Sequence, residues 1–290
     1  MKQLPAEIDT AFYRSKNPDL AGFSDTDLVD HYWRFGYSEG RCPSPLAQRE
    51  GLLDLVEASD EVLEIGPFTV PCIRGPMVKY FDIMDRKGLV DRAMKLGYPT
   101  SNAPEIDFVS PSSDLSTVSG TYNIVFSCHC IEHQPDLVGH LNEVSSLLRP
   151  AGAYFLVVPD KRFIFDHYIP ESTIAGVLEA HRERRRVHRL ASVIEHRALV
   201  THNDPVRHWE GDHGRTRADD HPHVIQAALG EYDQSKGSYI DVHAWQFTPL
   251  SFRAIVQRLN DLGLTPLSPV RVWGTPKPSM EFCAILGASQ

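Results

Sequence analysis

Histidines beside carboxylates are the feature of this sequence that could do chemistry. Most of its 14 histidines lie between residues 160 and 245. Four segments there place an imidazole close to an acid: His202-Asn-Asp204, His208-Trp-Glu210, Asp212-His213 and Asp241-Val-His243. Carboxylates orient imidazoles in this way in general bases and in metal sites. We predict that at least one of these histidines works in the active site. A bound divalent ion and a solvated polar loop are the alternatives.

A second reactive stretch is Cys128-His-Cys-Ile-Glu-His133. Thiolate and imidazole are ligands that zinc prefers, so a metal site is one interpretation. His129 or His133 could instead be a general base, because imidazole titrates near neutrality. A histidine at the start of a helix that only hydrogen-bonds to the backbone is the third interpretation.

Both stretches need a scaffold, and the apolar pattern predicts a parallel sheet. Val62–Ile65 is an apolar run that ends at Gly66 and Pro67, as a buried strand before a tight turn does. This alternation of strands and helices indicates a Rossmann-like α/β fold, with a doubly wound and mostly parallel sheet of about seven strands. The other predicted strands are at 78–82, 105–109, 122–127, 153–158, near 269–273 and at 281–286.

The turn after the first strand narrows the choice of ligand. Ligands of such sheets bind outside the carboxyl ends of the strands, so Glu64 and Gly66 mark a nucleotide-type pocket. A dinucleotide site would need GxGxxG, but Gly66-Pro-Phe-Thr-Val-Pro71 contains one glycine, and the sequence has no P-loop. A cofactor without phosphates fits this turn better.

Several motifs together resemble those of class I S-adenosylmethionine-dependent methyltransferases. They are Val62-Leu-Glu-Ile-Gly66, Phe81-Asp82, Asn123-Ile-Val-Phe-Ser127, the 127–133 run and Leu147-Leu-Arg-Pro-Ala-Gly152. The resemblance covers residues 50–160 and 245–290 and is specific as a set. The usual GxG of the family is replaced by Gly66-Pro67-Phe68. Because the resemblance explains the cysteine–histidine run without an ion, no bound metal is predicted.

The resemblance implies individual roles in binding S-adenosylmethionine. Asp82 would accept hydrogen bonds from the ribose hydroxyls, with Asp85 as its substitute if the strand ends later. Glu64 would lie near the cofactor amine, residues 113–115 would meet adenine, and residues 127–129 would line the sulfonium side. The implied cofactor contacts are Glu64, Gly66, Pro67, Asp82, Asp85, Ser113, Asp114, Leu115, Ser127 and His129. The candidate catalytic bases are His129, His133 and His243.

Residues 1–47 are predicted to form a small helical N-terminal module ahead of a methyltransferase domain at 48–290. Phe12-Tyr13, Asn17-Pro18-Asp19-Leu20, His31-Tyr32 and Glu39-Gly40-Arg41 resemble a module attached to bacterial glycosyltransferases and polysaccharide-processing proteins. A packing or dimerisation hairpin without chemistry is the alternative.

Residues 160–245 interrupt the βα pattern and are predicted to form a substrate cap. One long helix is predicted over 171–199; its basic run at 181–189 would attract an anionic substrate or form a solvated face. Trp209 and Trp245 could stack on a sugar. The predicted acceptor-binding residues are His208, Trp209, His213 and Trp245.

Composition limits the partners and the compartment. A net charge of −9 disfavours nucleic-acid binding. No apolar run reaches the roughly 18 residues of a membrane span, and the N-terminus lacks the apolar core of a signal peptide. The 5 cysteines include no CxxC pair, which favours a reducing compartment. We therefore expect a cytoplasmic protein without membrane insertion.

Taken together, the sequence predicts an S-adenosylmethionine-dependent methyltransferase that O-methylates a sugar or glycan-linked acceptor in polysaccharide biosynthesis. A histidine would remove the acceptor proton. One alternative is a non-catalytic binding or assembly module for polysaccharide enzymes. Another is a metal-dependent hydrolase built on the histidines of the insertion.

Overall fold

A seven-stranded sheet forms the centre of the computed structural model, which describes residues 5–217 and 221–288. Its order is β3-β2-β1-β4-β5-β7-β6, and only β7 runs antiparallel to its neighbours. The predicted doubly wound, mostly parallel sheet is confirmed. The strands are β1 (Val62–Ile65), β2 (Val78–Asp82), β3 (Phe108–Val109), β4 (Tyr122–Cys128), β5 (Leu148–Pro159), β6 (Leu267–Val272) and β7 (Glu281–Ala288).

Helices pack on both faces of this sheet and at its ends. Among the described helices, none combines the length and the apolar character needed to cross a membrane. The α-helices are α1 (Thr10–Lys16), α2 (Asp25–His31), α3 (Tyr37–Glu39), α4 (Arg49–Leu53), α5 (Arg86–Leu96), α6 (Leu137–Leu147), α7 (Ile174–Arg182), α8 (Leu190–Leu199), α9 (Pro205–Trp209), α10 (His221–Ser235) and α11 (Pro249–Asp261).

The alternation of side chains along β1 shows how the two faces are filled. Leu63 and Ile65 belong to the larger core, which also holds the buried faces of α6 and α11. Val62 belongs to a second core on the other face, with Leu52 and Trp273. Because both faces are covered, the strands read as continuous apolar runs rather than as alternating ones.

Two predicted strand boundaries are wrong. β3 has two residues instead of five. β5 begins at Leu148 rather than at the predicted residue 153. Within the added residues, Ala151 has φ +63°, and the pairing with β4 shifts register between Tyr122 and Ile124. A β-bulge of this kind lets the strand continue through a sequence that looks like a turn.

The N-terminal segment is helical, as predicted, and has a small apolar cluster that includes Tyr13, Leu28 and Tyr32. It packs against the β6–β7 end of the core, since the Trp273 indole N–H donates to the Glu7 carbonyl at 2.9 Å. A module boundary at residue 47 stays a prediction.

The single long helix predicted over 171–199 is wrong, because α7 and α8 are separate. Arg184 has φ +50°, a left-handed conformation that ends α7. Its N–H donates to the His181 carbonyl at 3.0 Å, and the Arg185 N–H donates to the Ala180 carbonyl at 3.1 Å. This is the Schellman pattern of a helix end. Since an arginine occupies the position where glycine is usual, the sequence did not signal the stop.

Candidate active site

A cleft of about 600 Å³ lies at the carboxyl ends of β1, β2 and β4. The chain builds the sheet outward in one direction from β1 and in the other from β4, so the strand order reverses between these two strands. Ligands of doubly wound sheets bind at such a point. The lining includes Glu64, Gly66, Pro67, Asp82, Ser113, Cys128, His129, Cys130, His133, Tyr239 and Asp241.

The turn after β1 approaches the turn after β4 closely. Gly66 has φ +71°, and a Cβ at this position would lie 3.2 Å from the Sγ of Cys130. Glycine adopts this left-handed conformation freely, whereas another residue loses about 1–2 kcal/mol. Conformation and space therefore both require the single glycine of this turn.

Glu64 is buried under the turn, at 2% exposure. Its carboxylate oxygens accept hydrogen bonds from the N–H groups of Cys72 at 2.8 Å and Ile73 at 3.0 Å. Burial raises the pKa of Glu64 to about 7 in spite of these two bonds. Glu64 thus anchors the loop that follows Gly66, and its place near a cofactor amine stays a prediction.

Asp82 ends β2, and its carboxylate reaches the cleft. It accepts hydrogen bonds from the N–H groups of Ile83 at 2.7 Å and Phe68 at 3.2 Å. Burial raises the pKa of Asp82 to about 6. A carboxylate has about four lone-pair positions, so Asp82 can accept further hydrogen bonds from a ligand. Asp85 instead caps α5 by accepting from the Gly88 N–H at 2.8 Å.

The segment after β3 brings Ser113 to the cleft but directs the next two side chains elsewhere. Asp114 accepts from the Ser116 N–H at 2.8 Å and so starts a short 3-10 helix, Leu115–Thr117. Leu115 is buried in the larger core. Neither of these two residues lines the cleft, since one caps a helix and the other fills the core, and their contacts with the cofactor stay a prediction.

Ser127 also points away from the cleft, contrary to the expectation. Its hydroxyl lies 2.7 Å from the Tyr154 hydroxyl, which lies 3.0 Å from Nε2 of His140, and all three residues are buried. Successive side chains of a strand point to opposite faces. Cys128 therefore points to the other face of β4 and lines the cleft, and His129, which lies beyond the end of the strand with φ +50°, lines it too.

His129 is held at the cleft by a carboxylate from β7. Its Nε2 lies 2.8 Å from Oε2 of Glu281, and Arg49 donates to both oxygens of Glu281 at 3.0 and 2.6 Å. Burial alone would raise the pKa of Glu281, but the hydrogen bonds from His129 and Arg49 lower it to about 2. An ionised carboxylate that fixes one ring nitrogen and leaves the other free is the arrangement of an oriented general base.

His133 and His243 meet beside the cleft, with perpendicular rings whose centroids are 4.7 Å apart. Oε1 of Glu132 lies 3.8 Å from Nε2 of His133 and 3.9 Å from Nε2 of His243. On its other side, Nδ1 of His243 lies 2.6 Å from Oδ2 of Asp166. The structure therefore brings two predicted catalytic histidines together with two carboxylates.

The pKa values of the two histidines move in opposite directions. Burial lowers the pKa of His133 well below its ordinary value, and the neighbouring His243 lowers it further. Burial alone would also lower the pKa of His243, but the charge and the hydrogen bond of Asp166 raise it. A catalytic role for either histidine stays a prediction.

The two tryptophans predicted to stack on a sugar are used for packing. Trp245 is 3% exposed, and its indole N–H donates to the Gln134 carbonyl at 2.6 Å. Trp209 stacks on Phe163 with ring centroids 3.8 Å apart, and its indole N–H donates to the Ser279 carbonyl at 2.8 Å. Trp245 is too buried to stack on a sugar, and its satisfied N–H favours that burial. Stacking of the half-buried Trp209 on a sugar stays a prediction.

His208 and His213 belong to a separate histidine group rather than to the cleft. Nδ1 of His208 lies 3.1 Å from Nδ1 of His213, and Nε2 of His208 lies 3.1 Å from the His202 carbonyl. The ring of His213 stacks on His167 with centroids 3.6 Å apart. Neither histidine lines the cleft, and their predicted contact with the acceptor stays a prediction.

The sequence motifs did not single out the carboxylates that orient the cleft histidines. Glu132 precedes His133 directly in the 127–133 run, so this adjacency was a sequence signal for a carboxylate beside a histidine. Asp166 and Glu281 gave no local signal, since each lies far along the chain from the histidine it contacts.

Comparison with known proteins gives distant similarities only. No protein-family model and no curated protein sequence matches this chain. Among solved structures, the mitomycin 7-O-methyltransferase MmcR is 9% identical, with a TM-score of 0.38 over 96% of this chain and 60% of its own. The Synechocystis magnesium protoporphyrin IX methyltransferase, solved with bound SAH, is 14% identical, with a TM-score of 0.37 over 97% and 96%.

A Rhodobacter sphaeroides protein described as a Zn-dependent alcohol dehydrogenase is 13% identical, with a TM-score of 0.44 over 90% of this chain and 94% of its own. Of the mitomycin 7-O-methyltransferase described above, this chain spans about three fifths of the length. Similarities this weak leave the fold assignment to the order and direction of the strands.

Proposed function

We propose that this chain is an S-adenosylmethionine-dependent methyltransferase that methylates a hydroxyl of a sugar or glycan-linked acceptor. The observation that carries the proposal is the cleft at the β1/β4 reversal, where Gly66 and the carboxylate of Asp82 lie at neighbouring strand ends. A ribose presents two hydroxyl donors, and a buried carboxylate with unused lone pairs suits both. The single-glycine turn gives no support to a pyrophosphate ligand.

His129 is the base that we favour for the acceptor hydroxyl. When bound, S-adenosylmethionine supplies an electrophilic methyl group on its sulfonium. His129 lies in the same cleft, with its ring fixed by Glu281, and can take the proton that the acceptor oxygen loses. Proton transfer of this kind contributes about 10²–10⁴-fold to a rate, and positioning of the two reactants supplies much of the rest.

The acceptor side is supported by a cavity of about 1460 Å³ that shares several residues with the cleft. Arg92, Ser113, Tyr239 and Asp241 line both, and Arg186 lines the outer cavity. Guanidinium, hydroxyl and carboxylate groups suit a ligand with many hydroxyls. The resemblance of the N-terminal segment adds the glycan context, whereas the tryptophans of the insertion do not.

Thermal denaturation with S-adenosylhomocysteine tests the cofactor. A ligand at about one hundred times its Kd adds roughly 2.7 kcal/mol of stability, which is about 4 °C in Tm for a chain of this size. The shift should be much smaller in Asp82→Ala and unchanged in Asp85→Asn. A folded protein without any shift at millimolar ligand would refute the assignment. A shift without methyl transfer to any sugar acceptor would instead favour a non-catalytic binding protein.

A further inference from the structure

Glu132 is a buried carboxylate beside the cleft whose surroundings, among the described residues, do not account for it. The residue is 1% exposed, and neither carboxylate oxygen has a hydrogen-bond partner among the described residues. A buried carboxylate is costly unless it is paired or bound to a metal. Its backbone is fixed as well, because the N–H groups of Ala244 and Trp245 donate to its carbonyl at 2.7 and 3.1 Å.

The atoms that face Glu132 are ring nitrogens of two histidines. Oε1 of Glu132 lies 3.8 Å from Nε2 of His133 and 3.9 Å from Nε2 of His243, and one ligand atom from each of the three residues lies within 4.8 Å of the other two. In a tetrahedral or trigonal site with bonds of about 2.0–2.1 Å, ligand atoms are about 3.3–3.6 Å apart. The separations of 3.8 and 3.9 Å need to shrink by only a few tenths of an ångström.

The opposite edges of both rings are already anchored. Nδ1 of His243 lies 2.6 Å from Asp166, and Nδ1 of His133 lies 3.1 Å from the Val242 carbonyl. Carbonyl and carboxylate oxygens accept hydrogen bonds, so each Nδ1 is the ring nitrogen that carries a proton, and Nε2 of each ring is the atom that faces Glu132. Metal-binding histidines are oriented by outer partners in this way.

From these observations we propose that Glu132, His133 and His243 bind a divalent transition-metal ion of the zinc type. Two imidazoles and one carboxylate suit Zn²⁺, Co²⁺ or Fe²⁺ rather than Mg²⁺, which prefers oxygen ligands alone. His133 lines the cleft, so an ion bound by this residue would lie beside the cleft. The carboxylates of Asp166 and Asp241, each beside one of the histidines, add negative charge that favours a cation.

Two other clusters have ligand atoms equally close, but both are satisfied without an ion. In the group of His167, His208 and His213, two nitrogens already form a hydrogen bond with each other. In the group of Cys128, His129 and Glu281, the carboxylate is held by Arg49. Among the described clusters, only that of Glu132 therefore combines close ligand atoms with an unpaired buried carboxylate.

The proposed catalytic role of the ion rests on the methyl transfer proposed above, whereas metal binding itself does not. A hydroxyl on the ion becomes more acidic. Its proton passes to His129, its oxygen forms the bond to the methyl carbon, and the electrons of the broken C–S bond stay on sulfur as a neutral thioether. With the Nε2 atoms of His133 and His243 bound to metal, His129 is the histidine left to act as base.

Metal uptake by the full chain, stripped with a chelator and titrated with Co²⁺ and Zn²⁺, tests the site. The Co²⁺ form should absorb in the visible range. Glu132→Gln, which keeps the shape but removes the charge, should weaken binding at least 100-fold. Asp166→Asn should weaken it about 10–100-fold, as outer partners of metal-binding histidines do. The matched control His213→Gln, which alters the separate histidine group, should bind as the wild type does.

Three results would overturn metal binding at this site: no uptake by the wild type, full affinity in Glu132→Gln, or loss of all uptake in His213→Gln. If Glu132→Gln does not fold, the affinity of Asp166→Asn and the Co²⁺ spectrum still test whether this site binds the ion. S-adenosylhomocysteine binding is measured separately, so failure of the cofactor assignment is distinguishable. Methyl transfer that a chelator leaves unchanged in a metal-binding protein would overturn the catalytic role.

Discussion

Replacing Gly66 with alanine tests whether the close approach of the two turns forms the cofactor site. The left-handed backbone, φ +71°, costs alanine about 1–2 kcal/mol. The new Cβ also lies 3.2 Å from Sγ of Cys130, so the thiol must move by a few tenths of an ångström. We expect Tm to fall by roughly 2–4 °C and affinity for S-adenosylhomocysteine to fall at least tenfold, which is about 1.4 kcal/mol.

Gly263 provides the matched control, because it has φ +68° just after α11 and no atom within 4 Å of a built Cβ. Gly263→Ala carries the same backbone cost without the contact, so it should lose similar stability and keep full affinity. Calorimetric titration with S-adenosylhomocysteine, beside thermal denaturation, measures both. Equal affinity in Gly66→Ala and Gly263→Ala would show that the turn after β1 is not close to the ligand.

Three further predictions concern the cleft and its surroundings. Only the ionised form of Asp82 accepts hydrogen bonds from both ribose hydroxyls, and its pKa is raised to about 6, so S-adenosylhomocysteine affinity should fall as pH drops through 6. Asp82→Asn should bind weakly and without this pH dependence. A flat pH profile of wild-type affinity would contradict the role of Asp82. His129→Gln should lower turnover by about 10²–10⁴-fold with unchanged S-adenosylhomocysteine affinity; turnover within threefold of wild type would assign the proton to another base. Trp245→Phe leaves the buried Gln134 carbonyl without its donor and should lower the free energy of unfolding, measured with urea, by about 1–3 kcal/mol. A raised KM for the acceptor with no loss of stability would instead support the sugar-stacking role.

The histidines of the insertion show why a composition signal is a weak guide to a site. His208 and His213 hydrogen-bond to each other, whereas His243 lies beside the cleft, between His133 and Asp166. The sequence pattern around all three is similar, an imidazole next to an acid. Which imidazole faces a ligand depends on how the loops pack.

Apolar periodicity and turn chemistry, which act over a few residues, were enough to predict the parallel sheet, the turn at Gly66 and the end of β2 at Asp82. They did not show that Ser127 points away from the cleft, because both faces of β4 are covered and its apolar run looks the same from either side. They also did not show the end of α7, where an arginine adopts a backbone conformation that is usual for glycine.

Which groups share the cleft depends on contacts between distant parts of the chain. His129 meets Glu281 across 152 residues of sequence, and His243 meets Asp166 across 77. Such pairs form because β7 inserts beside β5, and because the loop before α11 returns to the end of β4. A carboxylate far along the chain has no sequence signal of its partner, so the unpaired charge of Glu132 and the two oriented histidines beside it could be recognised only in the folded chain.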